Sequence, residues 1–198
     1  MARLLVTRPA EQAEALADRL RTLGHEVLVE PMLRIRFLDS ALPSLEGVQA
    51  ILLTSRNGAR ALAGATDHRD IRIIAVGDAT AEEARAAGFA QVESADGDGA
   101  ALIDYVAQHL RPEDGSLLHV SGFDVAADVA AELSDKGFQA DRVVLYEADV
   151  ADSLSPALRQ TLADRAIDAA LFYSPRAART FASLIEEAGL ASQLRTVV

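Results

Sequence analysis

The sequence predicts an α/β protein built from mostly parallel sheets, and three observations lead to that prediction. Short apolar runs typical of buried strands alternate with stretches of helical period along nearly the whole chain. Several of the helical stretches end at a glycine, the residue that most often stops a helix. One strand-to-helix pattern occurs twice, at residues 51–62 and 170–181, and this repeat indicates two similar α/β units.

The first residues predict a β-α-β unit. A buried strand is expected at 3–7, and a helix follows at 10–23, where apolar residues form a stripe of helical spacing. Pro9 suits the first turn of that helix and Gly24 suits its end, and a second strand is expected at 26–29.

Residues 33–38 alternate apolar and basic side chains, which predicts a half-exposed strand. Because side chains two apart in a strand share a face, Arg34 and Arg36 are expected on the same side of it. A polar connection that contains proline follows at 42–47.

The middle of the chain predicts a second α/β series. Its strands are expected at 50–53, 72–76, 91–93, 116–120 and 142–146. Its helices are expected at 55–63, after the turn at 77–81, at 100–110 and at 125–136. Thr80 and Glu83 fit a capping box at the second of these helices, and residues 121–122 are expected to form a turn.

The last stretch returns to the pattern of the first. It predicts a helix at 156–165 capped by Ser155, a strand at 169–173, a helix at 175–188 and a strand at 195–198. Parallel sheets need both faces covered, and no helix follows the final strand. We therefore expect the first unit to continue beyond residue 198.

Composition excludes several classes of function. The net charge of −11 provides no basic footprint for nucleic acid, and the absence of cysteine excludes disulfides, thiolate chemistry and Cys-zinc sites. The N-terminal residues do not form a signal peptide, and no apolar run could span a bilayer, so we expect a cytoplasmic protein without membrane contact. The four histidines lack metal-ligand spacing and are expected at the surface or at strand ends.

Common enzyme motifs are also missing from the sequence. It has no P-loop, no G-x-G-x-x-G turn after a strand and no G-x-S-x-G nucleophile elbow. These absences argue against a nucleotide hydrolase, a dinucleotide-binding enzyme and an α/β-hydrolase.

The turns that follow the predicted strands indicate where a ligand binds, because parallel sheets bind ligands beyond the carboxyl ends of their strands. Three of five such turns carry an arginine beside a helix N-terminus, which has free amide hydrogens. The pattern predicts a small anionic ligand with several acid groups. The five turns are 7–9, 54–58, 77–80, 121–122 and 174–176.

Structural explanations for the same residues stay open at this point. Ser55 and Ser174 are good helix N-caps whether or not they bind anything. The neighbouring arginines are also consistent with a solvated surface. Tyr146, at the end of a predicted strand, either packs or donates a hydrogen bond or a proton into a cleft.

Taken in order, these turns resemble those of the uroporphyrinogen-III synthase family. The resemblance extends along the whole chain, and the order and spacing of the motifs are more specific than any one of them. The matching segments are Leu5-Val6-Thr7-Arg8-Pro9, Leu53-Thr54-Ser55-Arg56-Asn57-Gly58, Ala75-Val76-Gly77-Asp78-Ala79-Thr80-Ala81, Val144-Leu145-Tyr146 and Phe172-Tyr173-Ser174-Pro175-Arg176-Ala177.

The resemblance implies two similar flavodoxin- or Rossmann-like domains joined by a two-stranded β connector. The first domain is then discontinuous, with residues 1–32 plus 152–198, and the second comprises residues 40–144. The connector consists of residues 33–39 and 145–151.

The activity implied by the resemblance is that of a cyclising hydro-lyase of tetrapyrrole, porphyrin and haem biosynthesis. It converts the linear octacarboxylate hydroxymethylbilane to uroporphyrinogen III, with inversion of ring D and loss of water, and it uses no cofactor or metal. Arginines and main-chain amides in the turns would bind the carboxylates. The expected binding residues are Arg8, Arg34, Arg36, Ser55, Arg56, Gly77, Ser121, Gly122, Ser174 and Arg176.

Two residues are expected to be catalytic by resemblance. Tyr146 and Thr80 occupy positions that face the cleft in this family, and Tyr146 is expected to assist departure of the substrate hydroxyl. One departure concerns the turn at 121–122, after which many relatives carry an arginine. Here Phe123 follows the glycine, and an anion contact there is in doubt.

The expected partners are the small-molecule substrate and, in transient contact, hydroxymethylbilane synthase, with the chain itself a monomer. The alternative is a non-enzymatic two-domain sensor or binding protein that closes on an anionic small molecule. A single-domain flavodoxin-like regulator is a weaker alternative, because the paired serine motifs indicate two units.

Overall fold

A computed structural model gives the fold and describes residues 1–125 and 127–193. The strand predicted at 195–198 lies outside the described residues. Within the described part, no helix is long and apolar enough to cross a membrane.

Strands and helices alternate through most of the chain. The strands are β1 (Arg3–Val6), β2 (Glu26–Val29), β3 (Leu33–Phe37), β4 (Val48–Leu53), β5 (Arg72–Ala75), β6 (Gln91–Ser94), β7 (Ser116–Gly122), β8 (Ala140–Val150) and β9 (Ala169–Leu171). The helices are α1 (Ala10–Thr22), α2 (Arg56–Ala65), α3 (Asp78–Ala86), α4 (Gly99–His109), α5 (Val129–Asp135), α6 (Pro156–Ala163) and α7 (Pro175–Glu187).

The strands form two sheets, one of three strands in the order β2-β1-β9 and one of six in the order β3-β8-β7-β4-β5-β6. The pairings from β2 to β9 and from β8 to β6 are parallel. The predicted mixed α/β fold with mostly parallel sheets is therefore confirmed. Parallel neighbours place the ends of their strands at a common edge, where the turns gather.

The chain divides into two compact units. Unit 1 contains Met1–Ile35 and the described residues from Asp149 onward, and unit 2 contains Arg36–Ala148. The core of unit 1 packs helices α6 and α7 against the short sheet, with Leu5, Leu158 and Phe181 among its buried members.

Unit 2 has a core on each face of its sheet. Along β4, Ala50 and Leu52 pack with α4 and α5 on one side, whereas Ile51 and Leu53 pack with α2 and α3 on the other. A strand that is buried on both faces reads as a continuous apolar run, which is why the run at 50–53 predicted a buried strand.

Local signals at the helix ends gave accurate predictions. Gly24, Gly88 and Gly137 have φ angles of 85°, 95° and 93°, the left-handed conformation that ends a helix most easily with glycine. Pro9 was predicted in the first turn of α1 but is the residue just before the helix. Its carbonyl accepts from the amide of Gln12.

Several predicted boundaries were wrong, and neighbouring strands or caps explain them. Residues 121–122 are not a turn but the end of β7, which pairs there with β8. Helix α5 starts at Val129 rather than 125, because the Asp128 side chain accepts from the amide of Ala131 at 3.2 Å. Strand β8 runs without a break from Ala140 to Val150, so the strand predicted at 142–146 and the segment assigned to the β connector are one element.

The capping box predicted at Thr80 was also wrong. Helix α3 is capped by Gly77, without a side-chain hydrogen bond, and Thr80 lies inside the first turn. The helix starts earlier than the template suggested, and Thr80 is consequently buried.

Candidate functional site

Ser55 follows the end of β4 and caps helix α2. Its hydroxyl accepts from the amide of Gly58 at 3.1 Å, so the predicted N-cap is confirmed. The same Oγ lies 2.6 Å from the hydroxyl of Tyr146 on β8, and either oxygen can donate. A phenol and a serine therefore meet beside a helix N-terminus, a place that favours negative charge.

The ring of Tyr146 packs directly on Gly122. A β-carbon on Gly122 would lie 2.7 Å from Cε2 and 2.9 Å from Cζ of that ring, which is closer than side-chain atoms approach. The strand register shifts here, so that Val144 faces Ser121 and Tyr146 faces Gly122. The Phe123 amide then donates to the Tyr146 carbonyl at 2.9 Å. Gly122 is thus needed for the position of the phenol.

Arg142, on the same strand as Tyr146, binds the end of β7. Its Nε donates to Ser121 Oγ at 2.8 Å, and its Nη2 donates to the carbonyls of Gly122 and Phe123, each at 2.8 Å. The Ser121 hydroxyl, fully buried, donates in turn to the Gly122 carbonyl at 3.0 Å. The sequence analysis missed Arg142, because only the β7–β8 register brings it to these groups.

His119 lies in the middle of β7 and is 1% exposed, so its predicted place at the surface or a strand end was wrong. Its Nε2 lies 3.2 Å from Thr54 Oγ1, and its Nδ1 has no hydrogen-bond partner among the described residues. Burial, with a smaller contribution from Arg142, lowers the pKa of His119 to about 4, against an opposing effect of Asp128. The imidazole is therefore neutral near pH 7.

Gly77 and Thr80 lie beyond the end of β5, the strand next to β4. The amide of Thr80 donates to the Gly77 carbonyl at 3.0 Å, and only 6% of Thr80 is exposed. The structure places both residues at the same sheet edge as Ser55 and makes Thr80 a buried residue of the first turn of α3.

The arginines expected near the ligand have different surroundings. Arg56 is the half-buried first residue of α2, and Arg34 is exposed on β3. Arg36 is exposed on the same strand, as the predicted alternation requires, but it forms an ion pair with Glu147. A substrate carboxylate would have to compete with Glu147 for it.

Unit 1 brings Arg8 and Ser174 together around a small pocket. Ser174 caps α7 and accepts from the amide of Ala177 at 3.1 Å, so this predicted cap is also confirmed. The guanidinium carbon of Arg8 lies 4.2 Å from the ring centroid of Tyr173, a cation–π contact. The pocket has a volume of about 200 Å³ and is lined by Thr7, Arg8, Pro9, Gln12, Leu33, Tyr173, Ser174 and Ala177.

Several residues of this pocket were not predicted as part of a site, and Tyr173 is the one that contacts Arg8. Tyr173 is 51% exposed and presents its ring to Arg8, although the sequence placed it inside a strand. Arg176, which was predicted, is half-buried in the first turn of α7. Among the described residues, no group of three or more histidine, aspartate or glutamate side chains could hold a metal ion.

Comparison with known proteins identifies the family. A family model described as "Uroporphyrinogen-III synthase HemD" matches residues 14–198, whereas a search of curated proteins gives no significant match. A mutant uroporphyrinogen III synthase from Thermus thermophilus superposes with a TM-score of 0.54 at 19% identity, covering 99% of this chain and 82% of that one.

A second solved structure has the same fold. The uroporphyrinogen-III synthetase of Helicobacter pylori superposes with a TM-score of 0.63 at 15% identity, covering 93% of this chain and 78% of that one. The family match spans most of the sequence, and both superpositions support its fold. The chain therefore belongs to the uroporphyrinogen-III synthase family, the cyclising lyases that form uroporphyrinogen III in tetrapyrrole biosynthesis.

Proposed function

We propose that this chain cyclises hydroxymethylbilane with Tyr146 as the group that assists departure of the substrate hydroxyl. The observation that supports this role most directly is the 2.6 Å contact between the Tyr146 hydroxyl and Ser55 Oγ, at the carboxyl end of the unit 2 sheet. The reaction breaks one C–O bond and releases water, with the proton supplied by the phenol. A spiro intermediate then forms as ring D attacks the exposed carbon, the original carbon–carbon bond to ring D breaks, and a new one forms at the other α-carbon of that ring, which closes the macrocycle with ring D inverted. The proton that ring D loses in the last step balances the one that the phenol gave.

Ser55 can make the phenol a better proton donor. Its Oγ accepts from Gly58, which leaves its own proton free to donate to the Tyr146 oxygen. That hydrogen bond stabilises the phenolate character that develops as Tyr146 gives its proton to the leaving hydroxyl. The electrophilic azafulvene that remains is attacked within the substrate, so the protein then acts mainly by holding the productive conformation.

Thr80 is proposed as the second catalytic residue, at the sheet edge where Ser55 also lies. Its burial in the first turn of α3 limits it to a short-range contact with the substrate. Gly77, Ser121 and Gly122 would contribute through the backbone alone, because the Ser121 hydroxyl already binds Arg142.

The substrate is an octa-anion and the protein carries a net charge of −11, so binding requires locally positive surfaces. Helix N-termini at Ser55 and Ser174 provide free amides in both units. We propose that these amides bind substrate carboxylates. The arginines proposed to assist them are Arg8, Arg34, Arg36, Arg56 and Arg176.

We also propose the domain bounds that the family resemblance implies. Residues 1–32 with 152–198 form the first domain, residues 40–144 form the second, and residues 33–39 with 145–151 connect them. The compact units and the neighbouring strands β3 and β8 support the proposal. The protein would act as a cytoplasmic monomer that receives its substrate in transient contact with hydroxymethylbilane synthase.

The test is a product analysis with hydroxymethylbilane as substrate. The wild-type chain is expected to give the III isomer, and Tyr146→Phe is expected to lose about a hundredfold in kcat, a usual size for loss of a general acid. Tyr105→Phe, which removes a phenol bound to Glu93 in the same unit, is the control and should retain activity. Only the spontaneous I isomer with wild-type protein would indicate a sensor or binding protein instead.

A further inference from the structure

Arg142 makes an unusual number of directed contacts for an exposed residue. Its guanidinium donates to one hydroxyl and two carbonyls of three consecutive residues, Ser121, Gly122 and Phe123. A single side chain thereby fixes the last residue pair of β7 and the residue after it. Since Arg142 itself is exposed, its removal leaves no buried cavity.

Two of the residues that Arg142 binds, Gly122 and Phe123, also contact Tyr146 directly. Gly122 forms the floor under the phenol ring, at a separation that excludes any β-carbon. Phe123 donates its amide to the Tyr146 carbonyl at 2.9 Å. Movement of the 121–123 segment would therefore move both the ring and the backbone of Tyr146.

We propose that Arg142 is a positioning residue that fixes the Tyr146 hydroxyl against Ser55 through the 121–123 segment. The proposal rests on the role given to Tyr146 under the proposed function. Arg142 touches neither the phenol nor Ser55 in any contact described above, and its effect on the reaction is indirect.

The geometry of the contacts requires arginine rather than any cation. Nε and Nη2 lie on one edge of a planar guanidinium and reach the hydroxyl and the carbonyls together. A lysine ammonium is a point charge on a flexible chain and cannot span that set in a fixed plane. Arg142→Lys should consequently behave much more like Arg142→Gln than like the wild-type protein.

Arg72 provides a matched control in the same unit. Its Nε and Nη2 form a two-bonded ion pair with Glu93 at 2.6 and 2.9 Å, and Glu93 accepts from the hydroxyl of Tyr105 at 2.8 Å. Arg72→Gln removes a comparable set of charged contacts, but next to a different tyrosine.

The first experiment uses ¹⁹F NMR of the full chain labelled with 3-fluorotyrosine. The chain has three tyrosines, so three resonances can be assigned with single Tyr→Phe variants. Arg142→Gln should move the Tyr146 resonance and leave those of Tyr105 and Tyr173 in place. Arg72→Gln should move the Tyr105 resonance instead. An unchanged Tyr146 resonance in Arg142→Gln would overturn the proposal.

The second experiment is a kinetic cycle with hydroxymethylbilane. Arg142→Gln should lower kcat roughly tenfold with KM within about twofold, because a misplaced group weakens the transition state more than substrate binding. In a Tyr146→Phe background it should cost nothing further, since Arg142 acts through the phenol. A full second loss in the double variant would contradict that coupling.

The two experiments separate the positioning claim from the proposed function. Wild-type kcat in Tyr146→Phe would overturn the catalytic role of the phenol, while the ¹⁹F shift in Arg142→Gln would still test the positioning itself. If Arg142→Gln does not fold, Ser121→Ala removes one of the three contacts and should give a smaller shift of the same Tyr146 resonance.

Discussion

The two serine turns are alike in backbone and different in chemistry. Ser55 and Ser174 each cap a helix with one hydrogen bond of 3.1 Å to the amide three residues later. In unit 2, strand β8, which lies two places from β4 in the sheet, brings Tyr146 to the serine hydroxyl. In unit 1 the neighbouring turn adds Arg8, stacked on Tyr173. A repeated sequence motif therefore fixes how the chain turns, and side chains from other strands and turns of the same unit determine what the turn can do.

A threonine follows a buried strand in each unit, Thr54 in unit 2 and Thr7 in unit 1, and the two have different hydrogen-bond partners. In unit 2, Thr54 meets the buried imidazole of His119, while in unit 1 the Thr7 hydroxyl donates to the Leu171 carbonyl at 2.7 Å. The partner of Thr54 is a titratable imidazole, whereas the partner of Thr7 is a backbone carbonyl that does not titrate. The comparison predicts that acid weakens unit 2 selectively.

The largest effect is expected on acid stability, and it comes from His119. Its folded-state pKa of about 4 lies below the ordinary value of 6.5, so the unfolded chain takes up the proton first. Stability should fall by about 3 kcal/mol as the pH drops from about 6.5 to about 4, and then level off. His119→Gln should flatten this part of the curve in urea unfolding at stepped pH. An equal slope in both proteins would contradict the assignment.

The next largest effect is expected from a substitution of Gly122, on which the ring of Tyr146 packs. Gly122→Ala places a β-carbon 2.7 Å from the ring of Tyr146, so the ring must move and kcat should fall about a hundredfold. Gly64→Ala in α2 is the control, because no atom lies within 4 Å of its added β-carbon. That variant should keep its activity and gain about 0.5–1 kcal/mol of stability from better helix propensity. Steady-state kinetics of both variants measure kcat, and thermal unfolding measures the change in stability.

The serines themselves provide a smaller and more direct test of the comparison. Ser55→Ala and Ser174→Ala each lose a helix cap, and each should lower the free energy of unfolding by about 1 kcal/mol. Only Ser55→Ala should also lower kcat, by roughly tenfold, because only Ser55 binds the phenol. Equal kcat losses in the two variants would mean that the two turns are functionally equivalent.

The smallest effect is expected at Arg8. Arg8→Gln removes the positive charge and its contact with the Tyr173 ring, and should raise KM a few-fold without changing kcat. Arg176→Gln is the control variant: it shows whether the loss of another arginine charge in unit 1 raises KM to the same extent. Because the attraction is electrostatic, the difference from the wild-type KM should shrink at high salt. A fall in kcat would place Arg8 in the chemical step instead.

Local sequence signals predicted the parts of the structure that local contacts determine. Both serine caps, the glycine helix ends and strand β2 follow from neighbours within a few residues. Tyr146 was expected at a strand end near the turn of Ser55. It lies within β8, but it is the last residue of that strand that pairs with β7, and its hydroxyl contacts Ser55.

The contacts that complete the site depend on pairing between distant strands. Arg142 reaches Ser121 only because the register places β8 beside β7, and the shift near Gly122 sets the phenol on a glycine. His119 is buried because β7 turned out to be an inner strand. At Thr80 the capping-box template failed, since the helix is capped by Gly77 and begins at Asp78.

One residue at the end of α5 has a practical consequence. Lys136 follows the last residue of that helix, is exposed, and is the single lysine of the sequence. Apart from the terminal amine, amine-reactive dyes therefore have one side chain to label, and it belongs to unit 2. A donor fluorophore there and an acceptor on a cysteine introduced into unit 1 would report, by energy transfer, whether substrate changes the distance between the units.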